Sequence, residues 1–288
     1  MSGRVLSEPA SQSPGSGPSM TAIAQDLAET ALQIGREAGE LLLAGAHDVE
    51  AVATKSSSHD LVTQMDRAAE ALIRDRIQAA RPGDRVLGEE GGEEGGDGPV
   101  RWIVDPLDGT VNYFYGQPSW AVSIGIEVDG RPAAGVVVAP ALGEEYLAVA
   151  GEGSWWLGGD ERHRLAVSQV TDLADAVVAT GFGYIVARRR HQAQVVAGLI
   201  PQIRDIRRVG AAAVDLCWLA RGRFDAHYER GLQEWDRAAG GLIAQEAGAI
   251  VAGLPGQPHS NELLIGANPA LYEQLAAALL ELDVVAGP

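Results

Sequence analysis

The chain has 288 residues, enough to bury one large core or two closely packed halves. Its 46% hydrophobic and 21% charged residues are those of an ordinary globular protein, and no apolar run approaches the ~20 residues of a membrane span. A net charge of −17 argues against broad nucleic-acid binding, and it would repel an anionic ligand unless cations accompanied it.

Residues 1–19 are rich in Ser, Pro and Gly and lack the apolar middle of a secretion signal. They read as a disordered tail ahead of one folded domain over 20–288, with possible halves at 20–170 and 171–288. The single cysteine, Cys217, lies in an apolar run and excludes an internal disulfide or a thiolate metal cluster, which points to the cytoplasm. Ile23, Leu27, Ile34, Ala38, Leu41 and Leu42 recur at helical spacing and predict a helix over 21–45. A second helix follows Asp60, with Leu61, Met65, Ala69, Leu72, Ile73 and Ile77 as its stripe, and "RPGD" stops it. Strands are expected at 85–88 ("RVLG") and 100–105 ("VRWIVD"), and the "EEGGEEGGDG" run between them reads as a solvated loop.

From Ser119 to Val149 the pattern is a meander of alternating strands, continuing through "GSWWLGG" and "RLAVS", with Asp129-Gly130 as a hairpin turn. The Trp155-Trp156 pair fits a core or interface position. In the second half, strands at 176–183, 206–210, 223–229, 249–253 and 263–268 alternate with helices at 187–200, 211–222, 234–248 and 269–282. This alternation predicts an α/β fold with helices layered on sheets. The basic stretch 187–192 reads as a solvated helix start, with a dimer contact or an anionic-substrate rim as alternatives.

The chemistry sits where acids end apolar runs. Asp105 and Asp108 close "WIVDPLDGTVNYFYG", Glu89 follows "VLG", Asp66 follows Met65, and Asp236 follows Trp235 at a helix start. Such strand ends and helix starts are where ligand sites gather in layered α/β folds. Two like charges ~4 Å apart cost roughly 4 kcal/mol at an effective dielectric near 20. Four converging carboxylates would cost on the order of 10 kcal/mol, comparable to a domain's whole stability. Protons or cations must relieve that repulsion, and oxygen-only ligation selects a hard cation such as Mg²⁺ or Mn²⁺. Pro106 stiffens the exit from the strand, Gly109 permits a tight turn, and Thr110 suits the N-cap of a following helix. Asp66 also reads as an exposed helix residue and Asp236 as a plain helix cap.

Three stretches, "GEE" (88–90), "WIVDPLDGTVNYFY" (102–115) and "WDRAAGGLIAQEAGA" (235–249), together resemble the inositol monophosphatase family. This is a magnesium-dependent, lithium-sensitive group of sugar and polyol phosphatases. "KSSSHDLVTQMD" (55–66) is also similar, with Ser58-His59 where Pro-Ala is common. The resemblance implies a layered α/β/α/β/α sandwich, a homodimer, and two or three Mg²⁺ per site. Glu89, Asp105 and the Leu107 carbonyl would hold the first ion. Asp105, Asp108 and Asp236 would hold the second, and Glu89 would contribute to a weak third. Glu89 and Thr110 would position the attacking water, with Asp66 behind Thr110. Gly109 and Thr110 would offer N–H groups to the phosphate, Glu229 would contact polyol hydroxyls, and Gly210 and Ala212 would wall the substrate.

Gln233 and Glu234 stand where some relatives carry a histidine, which bears on polyol selectivity and not on the metal chemistry. The implied reaction is hydrolysis of inositol 1-phosphate. Histidinol phosphate, fructose 1,6-bisphosphate and 3′-phosphoadenosine nucleotides are alternatives, as is a metal-binding interaction module of RNA or the transcription machinery. An aspartyl-phosphate route of the haloacid-dehalogenase type is disfavoured, because "DPLDGT" has two residues between its aspartates and not one.

Overall fold

Side-chain alternation assigns each strand face to a layer. The computed structural model describes residues 19–46, 51–54, 61–159 and 161–287. Helix α1 (Met20–Gly45) is followed by the strand pair β1 (Ala51–Thr54) and β2 (Leu61–Thr63), then by helix α2 (Gln64–Ala80). Next come β3 (Arg85–Gly88), β4 (Gly92–Gly95), β5 (Val100–Asp108), the short helix α3 (Thr110–Phe114), β6 (Ala121–Val128) and β7 (Arg131–Ala139). Strands β8 (Glu144–Val149), β9 (Gly153–Gly158) and β10 (Glu161–Arg164) complete an eight-stranded sheet, ordered β10-β9-β8-β7-β6-β5-β3-β4. Its neighbouring strands are antiparallel except β3 and β5, which run parallel.

The rest of the chain is β11 (Val177–Thr180), α4 (Val186–Leu199), β12 (Asp205–Arg207), α5 (Ala212–Ala220), β13 (Ala226–Glu229), α6 (Glu234–Glu246), β14 (Ile250–Ala252), β15 (Leu264–Ala267) and α7 (Pro269–Glu281). These strands form a five-stranded mixed sheet, ordered β12-β11-β13-β15-β14.

On β7, Ala134, Val136 and Val138 join the core beneath α1 and α2, while Val137 and Ala139 point into the core formed with α5 and α6. On β15, Leu264 belongs to that middle core, and Ile265 and Ala267 to a third core under α4 and α7. The layers therefore run α1/α2, large sheet, α5/α6, small sheet, α4/α7, the expected α/β/α/β/α sandwich. Among the described residues no helix is long and apolar enough to cross a membrane.

Several local expectations differ from the structure. The second helix starts at Gln64, because Thr63 caps it and Leu61 lies on β2. Part of the Gly/Glu run pairs as the edge strand β4 against β3. The last meander strand is 161–164 rather than "RLAVS", whose Leu165 and Val167 are buried outside any strand. The 1–18 portion of the tail and the Ser58-His59 pair lie outside the described residues.

Helix α6 sits very close to the large sheet. Gly125 on β6 pairs with Gly135 on β7, and a Cβ added at Gly125 would lie 2.6 Å from the Ala238 Cβ. At Gly135 it would lie 2.8 Å from the Ala239 carbonyl oxygen. No side chain fits there unless α6 moves. Gly125→Val is therefore expected to cost about 1–3 kcal/mol of stability through overpacking. Urea unfolding tests this, and an unshifted midpoint would show that α6 is not held at this spacing.

Candidate active site

The spacing of Asp105 and Asp108 is explained by the backbone. In a regular strand, residues three apart face opposite sides of the sheet. On β5 the register slips between them: Asp105 pairs with Ser123 and Asp108 with Ala121, so three steps on β5 match two on β6. This one-residue bulge, carrying Pro106 and Leu107, returns both acids to one face. The Leu107 N–H donates to Asp105 Oδ1 at 3.0 Å, locking the bulge. Asp105 and Asp108 are both buried, at 2% and 8% exposure. The Ala212 and Ala213 N–H groups at the start of α5 donate to the two oxygens of Asp108 at 3.2 and 2.7 Å.

Gly109 and not Thr110 is the N-cap of α3. It sits at φ 89°, a left-handed conformation that favours glycine, and a Cβ there would lie 2.9 Å from the Ser119 carbonyl oxygen. Thr110 is thereby released for another task. Its hydroxyl lies 2.8 Å from Asp66 Oδ1 and 3.1 Å from the Leu107 carbonyl oxygen. Asp66 is fully buried and is not the exposed helix residue of the plainer reading. Its Oδ2 accepts from the Thr63 N–H at 2.8 Å and the Thr63 hydroxyl at 2.6 Å, forming the capping box of α2.

Glu89 leaves the end of β3 beside β5, and its N–H donates to the Val104 carbonyl at 3.2 Å. Sequence reasoning missed what holds its loop. Buried Glu70 accepts from the N–H groups of Glu90 and Gly91 at 2.7 and 2.8 Å and pairs with Arg74 at 2.8 Å. The only advance signal was a Glu–Arg pair at i,i+4 on a helix. Asp236 does cap its helix, since Oδ2 accepts from the Gln233 N–H at 2.6 Å. Next to it, Glu234 pairs with Arg101 of β5, fastening the start of α6 to the large sheet. Glu234, with Gln233 as the N-cap, thus serves to seat α6.

Glu229 closes β13, its carboxylate against Gly181, where a Cβ would lie 2.0 Å from Oε1. Gly210 has φ 95° and faces the Asn112 side chain, which donates to the Val209 carbonyl at 3.0 Å. Arg188, from the basic stretch at the start of α4, reaches toward Gly231, two residues past Glu229. Beside Glu229 lie two buried groups that sequence reasoning did not select, Asp215 on α5 and His227 on β13. Asp215, His227 and Glu229 bring carboxylate and imidazole atoms within 4.8 Å of one another.

The acids feel one another. Burial raises Asp108 to about 7, with the Glu89 charge adding to the shift and the α5 N–H groups opposing it. Burial also raises Glu229 to about 8; Asp236 and Asp108 add to the shift, and Arg208 opposes it. Glu89, Asp108, Asp236 and Glu229 therefore share one electrostatic neighbourhood, with Asp105 tied to it through the bulge. This all-oxygen donor set, short of positive charge, fits a hard divalent cation.

The two raised carboxyl groups make metal-free stability pH-dependent. The folded protein holds more protons than the unfolded chain between the ordinary carboxylate range and about 7 to 8. Their contribution to stability thus falls as pH rises across that window. Mg²⁺ should offset the loss, most strongly at the alkaline end, because ligation requires deprotonated carboxylates. Thermal unfolding at pH 5 to 8, with and without Mg²⁺, checks this; a Mg²⁺ shift no larger at pH 8 than at pH 5 would contradict it.

Known proteins resemble this chain along most of its length. The sequence model of the inositol monophosphatase family matches residues 23–283. Inositol-1-monophosphatase SuhB of Mycobacterium tuberculosis is 43% identical over 274 residues, covering 90% of this chain and 93% of its own. The Nus factor SuhB of Escherichia coli is 38% identical over 253 residues, covering 86% and 93%. The solved structure of Mycobacterium tuberculosis SuhB superposes with a TM-score of 0.79 at 40% identity, covering 91% of this chain and 99% of that one. The extragenic suppressor protein suhB of Bartonella henselae gives 0.81 at 34% identity, covering 88% and 98%. The chain belongs to the inositol monophosphatase family, whose members are metal-dependent phosphatases.

Proposed function

We propose that this phosphatase hydrolyses a small polyol phosphate monoester, inositol 1-phosphate first among them, with Mg²⁺ as its cation. The observation that carries the reading is that Asp105 and Asp108 are buried and brought to one face of β5, with the Glu89 charge raising Asp108 and the Asp236 and Asp108 charges raising Glu229. Glu89, Asp105 and the Leu107 carbonyl would hold one ion; Asp105, Asp108 and Asp236 would hold a second, with Glu89 contributing to a weak third. Bound there, the cations neutralise the phosphate, polarise its oxygens and lower the pKa of a coordinated water.

The residues supply orientation. The Thr110 hydroxyl donates a hydrogen bond to Asp66, which leaves the Thr110 oxygen to accept a hydrogen bond from the attacking water. Glu89 accepts the other hydrogen bond of that water and takes that one proton as the water attacks, and the two contacts aim its lone pair at phosphorus. Gly109 and Thr110 N–H groups face the phosphate oxygens at the start of α3. Glu229 receives polyol hydroxyls, with Gly210 and Ala212 as the opposite wall. A homodimer, inhibition by Li⁺ and residence in the cytoplasm belong to the same reading.

Phosphate release from inositol 1-phosphate should require Mg²⁺ and fall to background in Asp108→Asn, which keeps one of the two acceptors for α5 but loses a charged ligand. Turnover by that variant equal to the unsubstituted protein would sink the site. In ¹⁸O water the released phosphate should carry the label and no protein aspartate should; a labelled Asp105 would establish a covalent route instead.

A second reading is supported by the relative whose name is a Nus factor, a partner role with the transcription machinery. Retention of cellular function by Asp108→Asn, with catalysis lost, would favour it. Histidinol phosphate, fructose 1,6-bisphosphate and 3′-phosphoadenosine nucleotides are the substrates to rank if inositol 1-phosphate is not turned over.

A further inference from the structure

His227 is a fully buried imidazole with no hydrogen bond at either ring nitrogen among the described residues, and Asp215 Oδ1 beside it has none either. Buried polar atoms without partners are rare and call for a reason. On β13, Ala226 and Tyr228 point into the outer core under α7. Alternation therefore turns His227 and Glu229 together toward the middle layer. There Asp215, from the first turn of α5, meets the ring.

Asp215 Oδ2 lies 4.0 Å from Nδ1, and Glu229 Oε2 lies 3.7 Å from Nε2. The nearest contacts of the two carboxyl groups fall on different nitrogens, and the three groups lie within 4.8 Å of one another as a compact buried triad. Such a triad suits a neutral imidazole, which has one donor and one acceptor and can join two carboxyl groups when one of them carries a proton. Burial pushes His227 down to about 4, keeping it neutral, while Asp215 and Glu229 are both pushed up.

We propose that His227, backed by Asp215, is a positioning residue that holds the Glu229 carboxylate toward the substrate's hydroxyl groups. This rests on the reading of Glu229 as the polyol contact. At 3.7 and 4.0 Å neither separation is yet a hydrogen bond. These contacts close when a hydroxyl draws Glu229 into place and the ring turns to follow. Gly181 supports the same carboxylate from the opposite side, where any Cβ would collide with it.

The test compares two esters, inositol 1-phosphate and phenyl phosphate, whose leaving group carries no further hydroxyls. His227→Phe keeps the ring and removes both nitrogens. KM for inositol 1-phosphate should rise roughly tenfold with kcat within about twofold, and KM for phenyl phosphate should stay within about twofold. His227→Gln, which restores one donor and one acceptor, should recover most of the loss. Gly181→Ala should produce the same selective rise, and it carries the test alone if His227→Phe does not fold. An unchanged KM for inositol 1-phosphate in both variants overturns the proposal, as does an equal rise for both esters, which would mark a merely structural role. If the unsubstituted protein does not prefer inositol 1-phosphate to phenyl phosphate, the assignment of Glu229 fails first and the proposal falls with it.

Discussion

The site depends on how closely α6 lies on the large sheet. Asp236 belongs to the first turn of that helix, whereas Asp105 and Asp108 belong to β5. Their separation is set by a contact between layers. Two facing glycines on β6 and β7 let Ala238 and Ala239 approach the sheet backbone, and the Arg101–Glu234 pair pins the start of the helix. Close packing of this kind has no room to relax, so a methyl group in the seam would move an acid at the site. Stability and ligand geometry share one constraint.

Seated in this way, the acids repel one another, and the fold answers with helix starts. Asp66, Asp108 and Asp236 each accept backbone N–H groups at the beginning of α2, α5 or α6. Such positions favour negative charge. The help is partial, since Asp108 and Glu229 remain pushed up by burial and by their neighbours. The remaining deficit of positive charge is what a bound metal ion would supply. Such an ion would also let a chain with net charge −17 take up an anionic ligand.

The two Asp-Gly pairs show how much depends on backbone context. Asp129 and Gly130 both have positive φ, 53° and 71°, and make the hairpin between β6 and β7. At Asp108-Gly109 only the glycine is left-handed. There the aspartate side chain turns inward to α5 while the chain enters α3. The surrounding pattern separated them in advance: alternating strands flank the first pair, whereas the second carries another aspartate three residues before it.

Much was legible in the sequence because local pattern governs it. Helical stripes, alternating strands and acids at the ends of apolar runs follow from side-chain periodicity and chain stiffness. They yielded the layered α/β fold and the set of candidate acids. Other features required the folded chain. The slip in register that aligns Asp105 with Asp108 exists only against β6, and Gly109 displaces Thr110 as cap because Ser119 and Ala211 crowd it. What Glu70 does is set by the loop after β3, which folds onto it. His227 gains its acidic neighbour only because α5 brings Asp215 beside it. A sequence records which groups can carry charge or donate a proton, but what they do depends on neighbours distant along the chain, and only tertiary packing chooses those.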